Sequence, residues 1–147
     1  MRELTGAELK VFVDAVRSYF EPCGGNLEVR TAYLSAESSE RLLPYNGLIR
    51  VSGAFSGQIY FSAPPGLMRQ LLRACAEPTD SEENMLDAAG EVANTLAGSV
   101  RRHFGSELEI STPETFGPGQ TPPQHQHGRA YTIALAWLGF EGLVVVD

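Results

Sequence analysis

The hydrophobic positions between Ser81 and Gly105 recur every three or four residues, which predicts one long α-helix. At about 100° per residue, its apolar side chains fall within roughly 120° of arc, the width of a core-facing stripe. Thr79-Asp80-Ser81-Glu82 offers a capping box at the start of this helix, and Gly105 suits a left-handed cap at its end. The stripe consists of Met85, Leu86, Ala89, Val92, Ala93, Leu96, Val100 and Phe104.

The opposite face of this helix carries polar side chains in one row. Asp87, Glu91 and Asn94 follow an i, i+4, i+7 spacing, and Gly98 extends the row by one turn. A solvated surface is the commonest explanation for such a row. However, Asn is a poor helix former, and Gly90 and Gly98 each cost on the order of 1 kcal/mol relative to Ala. These local costs favour a face that another protein approaches closely.

The patterns elsewhere predict two further helices and six strands. A capping box at Thr5-Gly6-Ala7-Glu8 opens the first helix, and a second amphipathic helix follows Pro64-Pro65 and ends near Pro78. Strands are predicted at 27–33, 47–55, 58–62, 107–111, 129–138 and 142–146. The order helix, three strands, two helices, three strands is typical of an α+β domain with helices packed on an antiparallel sheet. The continuous apolar content of the last two strands favours central positions.

Two segments lack a regular pattern. The pattern predicts a polar loop at residues 35–46. Residues 113–128, rich in proline, glycine and glutamine, predict a long irregular loop that is either mobile or faces a partner. His125 and His127 lie in the second loop, but an i, i+2 pair without a third ligand is more often a surface feature than a metal site. We therefore expect no metal site in this chain.

Composition narrows the class of protein. The 147 residues predict a single domain, and a net charge of −7 argues against nucleic-acid binding. No apolar run is long enough to span a bilayer, and MRELTGAELK lacks the apolar core of a signal peptide, so we expect a cytoplasmic protein without a membrane partner. Cys23 and Cys75 have no disulfide-framework or metal spacing, and reduced thiols are expected.

The polar row resembles a known motif. Asp87-x-x-x-Glu91-x-x-Asn94-x-x-x-Gly98, within the wording GEVANTLAG, is similar to the signature helix of the CheC/CheX/FliY chemotaxis phosphatases. The motif occurs once, as in the CheX branch, and chain length and element order also resemble that branch. Ser111-Thr112-Pro113 resembles the segment that closes the motif, although Pro118 lies nearer the usual family spacing.

The resemblance implies a CheC-like fold and a function. The substrate would be the phospho-aspartate of a CheY-like response regulator, with Glu91 and Asn94 as catalytic residues and Asp87, Gly98 and Pro113 as partner-binding residues. The resemblance also implies a homodimer, and Mg²⁺ held by the regulator rather than by this chain. A non-catalytic adaptor that binds the same regulators is the alternative, since FliM-type proteins share the fold without the Glu/Asn pair. A purely structural dimer scaffold would explain the fold but not that pair.

Overall fold

The computed structural model describes residues 4–35, 42–123 and 130–147. Three helices are present in these ranges: α1 (Gly6–Phe20), α2 (Pro65–Ala74) and α3 (Glu82–Phe104). A short 3₁₀ turn, Glu21–Cys23, follows α1. The strands are β1 (Glu28–Ser35), β2 (Tyr45–Ser52), β3 (Gly57–Ala63), β4 (Glu109–Ile110), β5 (Glu114–Phe116), β6 (Ala130–Trp137) and β7 (Phe140–Val146).

All of these strands belong to one antiparallel sheet. Its order is β1-β6-β7-β3-β2-β4, and β5 pairs with β2 beyond the end of β4. The hairpins β2–β3 and β6–β7 meet in the middle, where Phe61 of β3 lies opposite Val144 of β7. The most apolar strands therefore occupy the centre of the sheet, as their sequence predicts for β6 and β7.

The helices pack on one face of the sheet and enclose the main core. Phe12, Val16 and Phe20 of α1 and Leu67, Met68 and Leu71 of α2 are buried there, as are the stripe residues of α3 except Leu86 and Phe104. The opposite face carries a second, smaller cluster of Leu48, Tyr60, Ala130 and Val145. Because the apolar faces of three helices and one sheet face share one core, α3 is held on two sides, by the sheet and by the other helices.

The predicted α+β class is confirmed, and most element boundaries agree within about two residues. One strand was missed: residues 114–116 were assigned to the irregular loop at 113–128, but they form β5. The strand was missed because three residues carry too little periodicity to be seen in a sequence. Its register comes from pairing with Asn46, Gly47 and Leu48. His125, His127 and the rest of 124–129 lie outside the described residues, as do residues 36–41 of the polar loop.

Of the two capping boxes predicted from the sequence, one is present in the structure and the other is not. The capping box at Thr5 and Glu8 is formed as predicted. The prediction of a capping box at Thr79-Asp80-Ser81-Glu82 is wrong. Ser81 is the N-cap, and its hydroxyl oxygen accepts a hydrogen bond from the Asn84 backbone N–H. The Asn84 side chain donates to the Thr79 hydroxyl oxygen. Asn84 thus stands at the position of the glutamate in the usual box, but its carboxamide donates to Thr79 and does not accept from the N-cap N–H.

Candidate functional site

The polar row of α3 lies on the side of the helix that faces away from the core. Asp87 and Glu91 are exposed, and Asn94 and Gly98 are half-buried. A Cβ atom added to Gly98 would meet no other atom within 4 Å, so the space above this glycine is open. The structure therefore presents Asp87, Glu91, Asn94 and Gly98 on one accessible line, as the helical spacing predicts.

Gly90 does not belong to this accessible surface. It is buried, and a Cβ atom placed on it would lie 2.9 Å from the Thr115 methyl group and 3.4 Å from Cβ of Pro113. The interpretation of Gly90 as a residue that lets a partner approach is therefore wrong. Its missing side chain instead lets β5 pack against α3 one residue before Glu91.

The segment around Pro113 is fixed by β2. The Ser111 amide donates to the Arg50 carbonyl oxygen, and the Arg50 amide donates to the Ser111 hydroxyl oxygen, at 2.9 Å each. The Arg50 side chain also pairs with Glu114 at 3.2 Å. These contacts hold Pro113 beside Gly90, whereas Pro118 lies in a depression near Asn46. Of the two prolines, Pro113 is the one that lies beside Gly90, the residue that precedes Glu91.

Glu91 and Asn94 differ in how they are held. The Thr95 hydroxyl group donates to the Glu91 carboxylate at 3.3 Å, along the same helix. The Asn94 carboxamide makes no hydrogen bond within the described part of the chain. It has both a donor and an acceptor to offer, which is what the orientation of a neutral water molecule requires. Side chains three residues apart on a helix have Cβ atoms on the order of 5–6 Å apart, so one small site can contact both.

A cleft of about 270 Å³ opens on the other side of the row, between α1, α2 and α3. Asp87 and Glu91 line it together with Tyr19, Cys75 and Glu77. Burial is the main cause that raises the pKa of the Tyr19 phenol, and the Cys23, Cys75 and Glu91 groups raise it further. The phenol therefore stays protonated, and the negative charge of Glu91 contributes to this by opposing ionisation of the Tyr19 hydroxyl group.

No group of three or more His, Cys, Asp or Glu residues within residues 4–35, 42–123 and 130–147 is arranged to hold a metal ion. Cys23 and Cys75 are both free thiols. No helix in the part of the chain that the structure describes is both long and apolar enough to cross a bilayer.

Three residues beside the row were not singled out from the sequence. Thr95 supports Glu91, Thr115 fills the space above Gly90, and Glu77 adds a carboxylate to the cleft. The Thr95 contact could have been found, because residues i and i+4 of a helix are neighbours. The other two contacts join parts of the chain that are brought together only by the fold.

Comparison with models of protein families gives a match for this chain. The model of the family described as "Chemotaxis phosphatase CheX" matches residues 45–135, which is more than half of the chain and includes all of α3. No curated protein matches the chain.

Solved structures share the fold over nearly the whole chain. CheX from Desulfovibrio desulfuricans is 18% identical, with a TM-score of 0.82 over 96% of this chain and 98% of that chain. A CheC-like superfamily protein from Shewanella sp. PV-4 is 16% identical, with a TM-score of 0.82 over 97% of each chain. A chain of the CheX–CheY–BeF3–Mg²⁺ complex from Borrelia burgdorferi is 16% identical, with a TM-score of 0.72 over 95% of this chain and 96% of that chain.

Proposed function

This chain belongs to the CheX family of chemotaxis phosphatases, and from that premise we propose that it hydrolyses the aspartyl phosphate of a CheY-like response regulator. The carrying observation is Asn94: a half-buried carboxamide on the open face of α3, one turn from Glu91, without a hydrogen-bond partner in the described chain. Its position on a helix fixed by the sheet and by two other helices suits a group that must keep one orientation.

The proposed chemistry depends on positioning. An amide is not a useful base, but phosphoryl transfer passes through a loose transition state that gains most of its help from alignment and charge. Asn94 would accept a hydrogen bond from a water molecule, donate to another oxygen, and so hold the water in line with the phosphorus–oxygen bond that breaks. The water oxygen would bond to phosphorus as the bond from phosphorus to the aspartate oxygen breaks, so that the aspartate leaves as its carboxylate and the two water protons stay on the released dihydrogen phosphate.

Glu91 would hold the regulator in place. Its exposed carboxylate, steadied by Thr95, would pair with the lysine of the regulator active site. The Borrelia burgdorferi structure is a complex of CheX with CheY, BeF3 and Mg²⁺. We propose that Mg²⁺ would belong to the regulator of this chain, where it would neutralise charge on the phosphoryl oxygens.

The remaining residues of the proposal are partner-binding. Asp87 would contact the regulator at the edge of the row, Gly98 would leave room for its backbone, and Pro113 would flank the row from the side of β5. The homodimer and the cytoplasmic location expected from the sequence stay predictions.

The direct test is dephosphorylation of phosphorylated response regulators with and without the protein. Regulators are phosphorylated with phosphoramidate or acetyl phosphate, and their loss of the phosphoryl group without the protein is the baseline. The proposal expects at least one to lose it faster in proportion to the added protein. A protein that binds an activated regulator but accelerates no dephosphorylation would instead be the adaptor.

Reversal of the charge at Glu91 should weaken regulator binding. Glu91→Lys would place a lysine against the active-site lysine of the regulator in an interface that excludes water. We therefore expect a loss of about 2 kcal/mol or more in binding free energy, and a lower rate of dephosphorylation. Titration of the beryllofluoride-activated regulator measures this, and Glu109→Lys on β4 is a control with the same change of net charge. Equal affinities for the parent and Glu91→Lys would place Glu91 outside the contact.

A side chain at Gly98 should separate docking from stability. Gly98→Gln fills open space, and glutamine is the better helix former by up to about 1 kcal/mol, so the melting temperature should not fall. The added bulk on the line of Glu91 and Asn94 should weaken regulator binding. Ser99→Gln adds the same side chain about 100° further around the helix and serves as the control. A Gly98→Gln protein that melts lower and still binds would assign the glycine to internal packing.

A further inference from the structure

The two cysteines are distant in the sequence, but the fold places both near one side chain. Cys23 ends the 3₁₀ turn that follows α1, and Cys75 is the C-cap of α2. Both thiols are free. The side chain of Cys23 donates to the Tyr19 carbonyl oxygen at 3.6 Å, while Cys75 and Tyr19 line the same cleft beside α3. Tyr19 is thus a neighbour of both cysteines.

The two thiol groups also act electrostatically on each other and on the Tyr19 phenol. Burial is the main cause that raises the pKa of the Cys23 thiol, and the Cys75 group raises it further. After burial, Cys23 and then Cys75 are the next causes of the raised pKa of the Tyr19 phenol. Because the interaction between two charges falls off with distance and is screened by water, these effects place the two sulfur atoms close together on one side of the molecule.

The two turns that carry the cysteines differ in how firmly they are held. The Trp137 indole N–H donates to the Gly24 carbonyl oxygen at 2.8 Å, so the turn at Cys23 is tied to β6. Residues 73–80, at the end of α2 and beyond it, are all exposed, and the backbone turns at Ala76 with φ 57°. A disulfide brings its two sulfur atoms to about 2 Å from each other. The turn after α2 is therefore the part that can move to close the gap.

We propose that Cys23 and Cys75 form a reversible disulfide when the chain meets a disulfide oxidant such as oxidised glutathione. The exposed Cys75, as its thiolate, attacks one glutathione sulfur and displaces the first glutathione thiol. Cys23 then attacks the Cys75 sulfur and displaces the second. The two cysteines lose two electrons and two protons, which end on the two molecules of reduced glutathione. Neither cysteine takes part in the proposed phosphatase reaction, although the bridge lies in the wall of the cleft that Glu91 also lines.

Peptide mapping of the oxidised protein tests the bridge directly. Cleavage after arginine leaves Cys23 in residues 18–30 and Cys75 in residues 74–101, so the bridge joins two peptides that dithiothreitol separates again. After incubation of dilute protein with oxidised glutathione, we expect this linked pair in chains that run as monomers on a non-reducing denaturing gel. Oxidation should also raise the melting temperature by roughly 5 °C or more, because the bridge closes a loop of about 50 residues in the unfolded chain.

Cys23→Ser and Cys75→Ser are the matched controls, because each removes one sulfur and leaves the other thiol in place. Serine at position 23 keeps a donor for the Tyr19 carbonyl oxygen, and Cys75 is exposed, so both variants should fold and neither should gain melting temperature on oxidation. The proposal is wrong if the oxidised parent keeps both thiols, carries glutathione on Cys75 without the linked pair, or is joined only between chains. A fall in melting temperature when the bridge forms would also contradict it, since the two turns would then not lie close together in the native fold.

Discussion

Asn94→Ala is expected to lower the rate of regulator dephosphorylation by about 10²-fold or more while the protein stays folded. The loss follows because alanine cannot hold the attacking water in line. Stability should not fall, since Asn94 makes no hydrogen bond within the described chain and alanine is the better helix former. Single-turnover decay of the phosphorylated regulator measures the rate, and a melting curve on the same preparation measures stability.

The same variant separates a phosphatase from an adaptor. Asn94→Ala should still bind the beryllofluoride-activated regulator, because the Glu91 contact and the rest of the α3 face remain. Ser99→Ala, which lies on the same helix but off the polar row, is the control and should retain full rate. Near-parental dephosphorylation by folded Asn94→Ala would contradict the catalytic role of the amide.

The sequence alone could predict the helix that carries the site and the line of residues on it. The reason is that α3 is local structure: its hydrophobic period and its cationic last turn lie within one segment, although the capping box predicted for its start was wrong. Asp87, Glu91, Asn94 and Gly98 therefore fall where the 3.6-residue repeat places them. The fold class could be predicted for the same reason, because helices and strands of ordinary length alternate in a clear order.

The surroundings of the row could not be predicted in this way. Gly90 looks like Gly98 in the sequence, yet one is closed by Thr115 and Pro113 and the other is open. The difference depends on β5, which is held by pairing with a strand far from it in the chain. The cleft likewise depends on the packing of three helices. Such contacts follow from the tertiary structure rather than from local periodicity.

The position of the row depends on a close approach between α3 and the sheet. A Cβ atom on Gly47 of β2 would lie 2.2 Å from the carbonyl oxygen of Ala89 and 2.6 Å from its carbonyl carbon. Both atoms are backbone, so no rotamer change can relieve the overlap. Gly47 also pairs with Phe61 of β3 and Thr115 of β5, which keeps β2 from moving away. The helix backbone therefore approaches Gly47 of the sheet closely at Ala89 and Gly90, which directly precede Glu91.

Gly47→Ala should consequently be the most damaging single-methyl change near the site. Overpacking of a rigid contact typically costs 1–3 kcal/mol, and with backbone on both sides we expect about 3 kcal/mol, or a fall of roughly 10 °C in melting temperature. Because α3 must shift to admit the methyl group, turnover should fall as well, even in the folded fraction. Gly6→Ala is the matched control, since a Cβ atom there meets nothing within 4 Å. A Gly47→Ala protein with parental melting temperature and parental turnover would show that the placement of Glu91 and Asn94 does not depend on this contact.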